Sequence, residues 1–530
     1  MIIARSRFTG AAGRSMIRSR NIMSSVQYVT RCHYTTSFEP APKLTIHEIS
    51  PQTVEAEYAV RGKIPIIAEG LQDLIKKNPT DHGLPFNKII NANIGNPQQL
   101  DQKPLTWYRQ VMSLLEYPKL LDEPALKFPQ DVKKRAKLIL DNVGSIGAYS
   151  HSQGAPFFRQ SIAEFITKRD GGLLPANANN IFLTAGASTA VSYLLEILSQ
   201  DEHSGFLIPI PQYPLYTATI TLNKAKPVGY YLDESNHWST NPSEIRQLIK
   251  ENKKKGINIK ALVVINPGNP TGAVLSHEDI HKLIDICAEH GIVLIADEVY
   301  QENVFHGKDF ISFKRVLGEL IQKRPDLYKN VQLASLHSTS KGVSGECGQR
   351  GGYMELVGFR EEVKDIIFKL ASINLCSVVS GQAMVELMIN PPKKGDESYE
   401  LYKKETSGIF DDLKERAKYL YEAFKEMEDV TADPPQGAMY IFPKLDFKPA
   451  QYHKLYSRAK NSSLLIDDIY CIELLEHTGI CCVPGNGFGQ KPGTYHLRTT
   501  FLPPGKEWVE RWTEFHHLFV NKYKDGTFCA

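Results

Sequence analysis

The 530-residue chain has no Cys-x-x-Cys pair and no cluster of cysteine and histidine at metal-ligating spacing. Its eight cysteines are scattered, which excludes structural zinc and a disulfide framework and fits a reducing compartment. Adjacent Cys481 and Cys482 cannot easily bridge each other. The longest apolar runs, such as Ala261–Ile265 and Ile292–Ala296, are strand-length, too short for a membrane-spanning helix. There is no internal repeat, and no acid precedes Glu39.

That last absence defines the leader. Residues 1–38 carry Arg5, Arg7, Arg14, Arg18, Arg20 and Arg31 among many serines and threonines, without a continuous apolar core. This reads as a mitochondrial transit peptide and predicts a matrix protein; a basic arm is the alternative. Without those six arginines the formal +3 turns negative, so no excess positive charge remains for nucleic acid.

What is present is a globular composition, 42% hydrophobic and 23% charged, in a chain too long for one core. Seven prolines between Pro40 and Pro97 predict an irregular N-terminal arm over 39–100. Buried strands are expected at Asn180–Leu183, Gly205–Ile208, Ala261–Ile265, Val293–Ala296 and Val331–Leu336. Helices such as Thr189–Leu198, Pro242–Asn252 and His277–His290 separate them. Such alternation predicts an α/β fold, a mostly parallel sheet with helices on both faces. A large domain is placed at 101–385 and a smaller α+β domain at 386–530. The second begins after a long helical region at Glu361–Met388 and includes helices at Tyr399–Met427 and Glu507–Lys522.

Chemistry concentrates in Ser338–Arg350, where Lys341 stands among small residues and hydroxyls. A lysine is a useful nucleophile only when held, partly desolvated, beside an electrophile. Hydroxyls and a guanidinium at Arg350 suit a phosphate. An imine-forming lysine with a phosphate site nearby points to pyridoxal phosphate; a solvated surface loop is the plainer alternative.

Ligands of parallel sheets bind beyond the carboxyl ends of strands, and four other segments lie at such ends. Thr184–Ser188 offers Gly186 for a tight turn and the Ala187 and Ser188 amides for an anion, or merely a helix cap at Ser188. Asn266–Gly272, stiffened by two prolines, can aim Asn269 at a ring oxygen, unless it is a simple turn. Asp297 ends a buried strand and needs a cation, which a protonated pyridine nitrogen would supply; Tyr300 follows three residues later. Tyr213 could stack on a flat ring or belong to the core. The stretch Val293–Glu298 also looks like the magnesium strand of a P-loop ATPase, but no Gly-x-x-x-x-Gly-Lys-Ser/Thr precedes it.

In this order the motifs resemble fold-type I pyridoxal-phosphate aminotransferases, from about residue 45 to the C-terminus. The nearer match is the alanine aminotransferase branch. It is carried by Tyr58–Gly62, Asn93–Pro97, Gly147–Ser150 with Gln153-Gly154, and His337–Lys341 running to Gly352. The resemblance implies an aldimine at Lys341, which also moves the substrate α-proton. It places Asp297 under the pyridine nitrogen, and Asn269 and Tyr300 on the phenolic oxygen. Ala187, Ser188, Ser338 and Arg350 take the phosphate, Tyr213 stacks on the ring, and Arg498 with the Gly62 backbone takes the substrate carboxylate. By itself Arg498 could equally form a surface salt bridge. Tyr149 would reach the phosphate of a neighbouring subunit in a homodimer. The implied reaction is ping-pong exchange between L-alanine and 2-oxoglutarate. A kynurenine or broad-specificity aminotransferase, a lyase, and a non-catalytic regulator on the same fold are the rivals. No helix-turn-helix precedes residue 45 to support the regulator. The acid usual in the Asn93–Pro97 segment is Asn96 here.

Overall fold

The computed structural model describes residues 43–58, 62–305 and 307–525. The expected leader, residues 1–38, lies outside them. Residues 43–49 form a unit of their own, one 3-10 turn in which the Glu48 carboxylate accepts from the Thr45 amide at 2.8 Å. All other elements belong to the unit that begins at Ser50.

Its centre is a seven-stranded sheet: β1 (Ile181–Ala185), β2 (Ser204–Ile210), β3 (Lys226–Tyr231), β4 (Asn258–Ile265), β5 (Val293–Asp297), β6 (Leu333–Ser338) and β7 (Gly351–Val357). The strands lie in the order β1-β7-β6-β5-β4-β2-β3. β7 runs antiparallel to both its neighbours, and the other pairs are parallel. Side chains of β4 alternate between the faces. Ala261, Val263 and Ile265 pack with the helix residues Val191, Leu194 and Ile367. Leu262 and Val264 pack with Ile245, Ile280, Leu283 and Leu317. Both faces are therefore covered, which is why these strands read as unbroken apolar runs.

The antiparallel placement of β7 has a local consequence. Its first residue, Gly351, pairs with Ala185 at the end of β1, and Gly352 pairs with Ser338 at the end of β6. Arg350 thus arrives at the same edge as the carboxyl ends of the parallel strands.

The region before residue 100 differs from the irregular arm expected there. A fifteen-residue helix, α1, spans Lys63–Lys77. Pro65 sits in its first turn, where a missing amide hydrogen removes no intrahelical bond. The strand Ile90–Asn91 pairs in parallel with Ile480–Cys481. Ile64, Ala68 and Ile90 share an apolar cluster with Leu420, Leu474 and Trp512. The long helical region expected at 361–388 is two helices, Glu361–Ile373 and Val379–Ile389. Asn374 and Leu375, the latter at φ 64°, end the first.

Glu298, the residue after β5, is buried yet ionisable. It accepts from the Ser335 hydroxyl at 2.6 Å and the Phe313 amide at 2.8 Å. Burial pushes its carboxyl up to about 7, against the partial opposition of Arg169. The folded chain therefore holds a proton that the unfolded chain has released between pH 4.5 and 7, and stability falls as pH rises through that window. Glu298→Gln removes this term. Thermal unfolding at pH 5 and pH 8 should show the variant gaining on wild type at the higher pH. The full difference is about 3 kcal/mol by linkage; parallel pH profiles would refute it.

Candidate active site

At the carboxyl edge of the sheet lies a cavity of about 670 Å³. Ala187, Ser188, Tyr213, Asn269, Asp297, Tyr300, Ser338, Lys341, Arg350 and Arg498, ten of the residues singled out in the sequence, line it. Gly62 and Tyr149 are not among the lining residues. Gly62 caps the start of α1, and Tyr149 is 79% exposed on the surface.

Lys341 follows β6 by three residues and is half-buried. Its Nζ donates to the Gly95 carbonyl at 2.8 Å and lies 5.8 Å from the centre of the Tyr300 ring. This is no solvated loop: the amine is fixed across the cavity by a residue 246 positions away.

One end of the cavity is an anion cradle. Helix α2 (Ala187–Leu198) follows β1 through Gly186 at φ 79°, and its first amides have no helical partner. The Arg350 guanidinium spans the turn, donating to the Ala185 carbonyl at 2.8 Å, the Cys347 carbonyl at 3.0 Å and the Ser188 hydroxyl at 3.3 Å. A Cβ on Gly186 would lie 2.5 Å from Arg350 Nη2, so only glycine permits this approach. The buried Ser338 hydroxyl accepts from the Ser340 amide at 3.3 Å.

Asp297 ends β5 with 5% of its surface exposed. Tyr216 donates to its Oδ2 at 2.8 Å, while Oδ1 is buried without a partner. Burial pushes the carboxyl above its ordinary range; the Tyr216 hydroxyl, the Val299 amide and the Lys341 charge oppose that. A buried carboxylate oxygen facing a cavity calls for a donor, preferably a cationic one.

The opposite end carries Arg498, on the strand Leu497–Thr500, with 1% exposure. Its partners are neutral: Nη1 donates to Asn269 Oδ1 at 3.1 Å, and Nη2 to the Asn93 carbonyl. Its Nε has no partner. A surface salt bridge is thus excluded, and a positive charge this enclosed is poised for an incoming carboxylate. The Asn269 side chain, with Oδ1 committed to Arg498, keeps its amide hydrogens for another acceptor.

Tyr213, half-buried rather than in the core, shares a hydroxyl bond of 2.7 Å with Tyr58. Burial pushes its phenol, and that of Tyr300, well above the ordinary range. Three residues escaped the sequence reading of roles. Tyr216 supports Asp297 from 81 positions away, and Gly95 anchors Lys341. Tyr440 lines the cavity from the C-terminal region. Gly95 lay inside a segment already noted, and a buried acid at a strand end signals a missing donor without saying which. Nothing near Tyr440 distinguishes it from an ordinary strand residue.

Residues 118–507 match the family model described as aminotransferase class I and II. The chain belongs to this family. The aminotransferase is similar to the mitochondrial alanine aminotransferase of Saccharomyces cerevisiae, 52% identical over 99% of this chain and 88% of the relative. It is also 53% identical to a protein of that yeast named an inactive alanine aminotransferase, over 92% of this chain and 96% of that one. Among solved structures, the alanine aminotransferase of Pyrococcus furiosus superposes with a TM-score of 0.68 at 26% identity. That match covers 89% of this chain and all of the other. Members of the family depend on pyridoxal phosphate and act on amino and oxo acids. Among the described residues of the aminotransferase, no helix is long and apolar enough to cross a membrane, and no group of side chains is arranged to hold a metal ion.

Proposed function

We propose that this aminotransferase moves the amino group of L-alanine to 2-oxoglutarate, reversibly, giving pyruvate and L-glutamate. One observation carries the reading: Lys341 and Arg498 face one cavity in a chain so close to a named alanine aminotransferase. Identity alone would not suffice, because an equally similar relative is named inactive. The reactive geometry supplies the rest.

The cavity fits pyridoxal phosphate on two features. Asp297 Oδ1 is an orphaned, buried acceptor suited to a ring N–H. The Gly186 turn leaves open the space above Arg350 that a side chain would fill. Ala187, Ser188, Ser338 and Arg350 would hold the phosphate, and Asn269 and Tyr300 the phenolic oxygen, with Tyr213 against the ring. When bound, the cofactor supplies an electron sink for the carbanion left by loss of the α-proton.

The chain's own groups do the remaining work. Arg498 binds the α-carboxylate of each substrate in turn, with the Gly62 backbone assisting. Lys341 Nζ holds the cofactor between turnovers, and when released takes the α-proton and returns it on the other side of the exchange. The walls of Tyr213, Tyr300 and Tyr440 exclude water from the Lys341 amine. One cavity serves both substrates, so the first product leaves before the second substrate enters.

Exposed Tyr149 suits a contact with the phosphate site of a second copy, and we take the active form to be a homodimer. The basic leader and the mitochondrial name of the yeast relative support a place in the mitochondrial matrix. Initial rates over a panel of amino donors with 2-oxoglutarate test the assignment. Alanine should exceed kynurenine and the aromatic donors by at least about 10-fold in kcat/KM, since a missing side-chain fit costs 1–3 kcal/mol. A preference for an aromatic donor would replace alanine with a kynurenine-type or broad substrate range.

A further inference from the structure

Tyr440 stands close to both Arg498 and the Lys341 amine. It opens the two-residue strand Tyr440–Ile441, which pairs antiparallel with Leu497–Thr500, the strand that carries Arg498. Its ring centre lies 4.1 Å from the Arg498 guanidinium carbon, and that of Phe488 lies 4.6 Å from the same atom. Asn269 and Asn93 accept from the guanidinium, and the two rings pack against it. A planar, weakly hydrated cation suits such a stack.

The hydroxyl end of Tyr440 points the other way. A Cβ on Gly95 would collide with Tyr440 Oη and would lie 3.0 Å from Lys341 Nζ. The phenol and the amine therefore sit together over one glycine, whose carbonyl accepts from Lys341. Tyr300 stands edge-on to the Tyr440 ring, with centres 6.1 Å apart. Burial alone would raise the Tyr440 phenol, but Lys341 and Arg498, with bonds from Tyr300 and the Gly95 amide, bring it below its ordinary range. Tyr300 is pushed the opposite way, by burial and then by Tyr440.

We propose that Tyr440 is a positioning residue with two separable halves: its ring holds the Arg498 guanidinium for the substrate carboxylate, and its hydroxyl holds the Lys341 amine for proton transfer. This rests on the amino-transfer reading and deepens it. The ring bears on binding of both substrates, because both present an α-carboxylate. The hydroxyl bears on turnover, because the proton-transfer step depends on where the amine sits.

Steady-state kinetics of the holoenzyme separate the halves. Tyr440→Phe keeps the ring and should lower kcat by about 3- to 10-fold, the range for losing a polar neighbour of the amine. KM for alanine and for 2-oxoglutarate should stay within about twofold. The primary isotope effect with α-deuterated alanine should rise in this variant, since the weakened step becomes slower relative to the others. Phe488→Leu removes the other face of the stack and leaves the hydroxyl. It should raise both KM values about 10-fold without a matching fall in kcat. Tyr440→Phe is nearly isosteric and retains the buried packing, which a thermal scan verifies. A Tyr440→Phe enzyme with wild-type kcat, or one impaired through KM alone, overturns the proposal. So does a uniform loss of both parameters in the two variants. Wild type run in the same assay separates the two failures, since wild type without transfer from alanine sinks the activity itself.

Discussion

Lys341→Ala lowers transfer from alanine to 2-oxoglutarate by at least about 10³-fold, the range lost when a positioned proton-transfer group is deleted. The expectation rests on isolation: among the residues that line the cavity, Lys341 is the only one with a primary amine. Its Nζ is held at 2.8 Å from the Gly95 carbonyl, and no histidine lines the space to stand in for it. Borohydride reduction of wild type should leave a stable adduct on the tryptic fragment containing Lys341, and the variant should leave none. Added methylamine, small enough to enter the vacated volume, should restore part of the rate. An adduct on another lysine, or a variant with ordinary turnover, would remove Lys341 from the reaction.

Arg498→Lys lowers kcat/KM for alanine and for 2-oxoglutarate together, each by about 10²- to 10³-fold. This is the loss expected when a buried charge pair with a carboxylate is broken. Lysine keeps the charge but not the fork, and it cannot fill the space between the Tyr440 and Phe488 rings as a flat guanidinium does. Asn269 Oδ1 and the Asn93 carbonyl would each lose a directed donor. The diagnostic feature is the equality of the two losses. The substrates differ in side chain and share the α-carboxylate, so a residue that grips the shared group cannot discriminate between them. A variant impaired toward 2-oxoglutarate alone would place Arg498 at the second carboxylate instead.

Much of the site was legible because its parts lie at strand ends, where apolar runs stop at polar residues. Asp297, Asn269, Ser188 and Lys341 each follow a run that is unmistakably buried. The antiparallel strand Gly351–Val357 was not foreseen. It opens with two glycines straight after the Lys341–Arg350 loop and reads as more loop. Edge strand Lys226–Tyr231 also escaped, since only Val228 and Tyr230 are buried in it. Prolines hid the helix Lys63–Lys77, because proline breaks a helix only beyond its first turn. Tyr216, Tyr440 and Gly95 act across separations of 58 to 246 positions from the groups they serve. No local pattern encodes partners so far apart; tertiary packing alone selects them.

The hairpin formed by β6 and β7 pins both ends of the segment from Ser338 to Gly352 to one ladder. The spacing of an amine and a guanidinium is thereby gauged by main-chain bonding across the central sheet, as a ruler is gauged by its own marks. Swapping core side chains leaves that gauge intact as long as the ladder holds. Adding or deleting one residue between Gly342 and Gln349 does not, and such a length change should cost more than any single replacement within the loop.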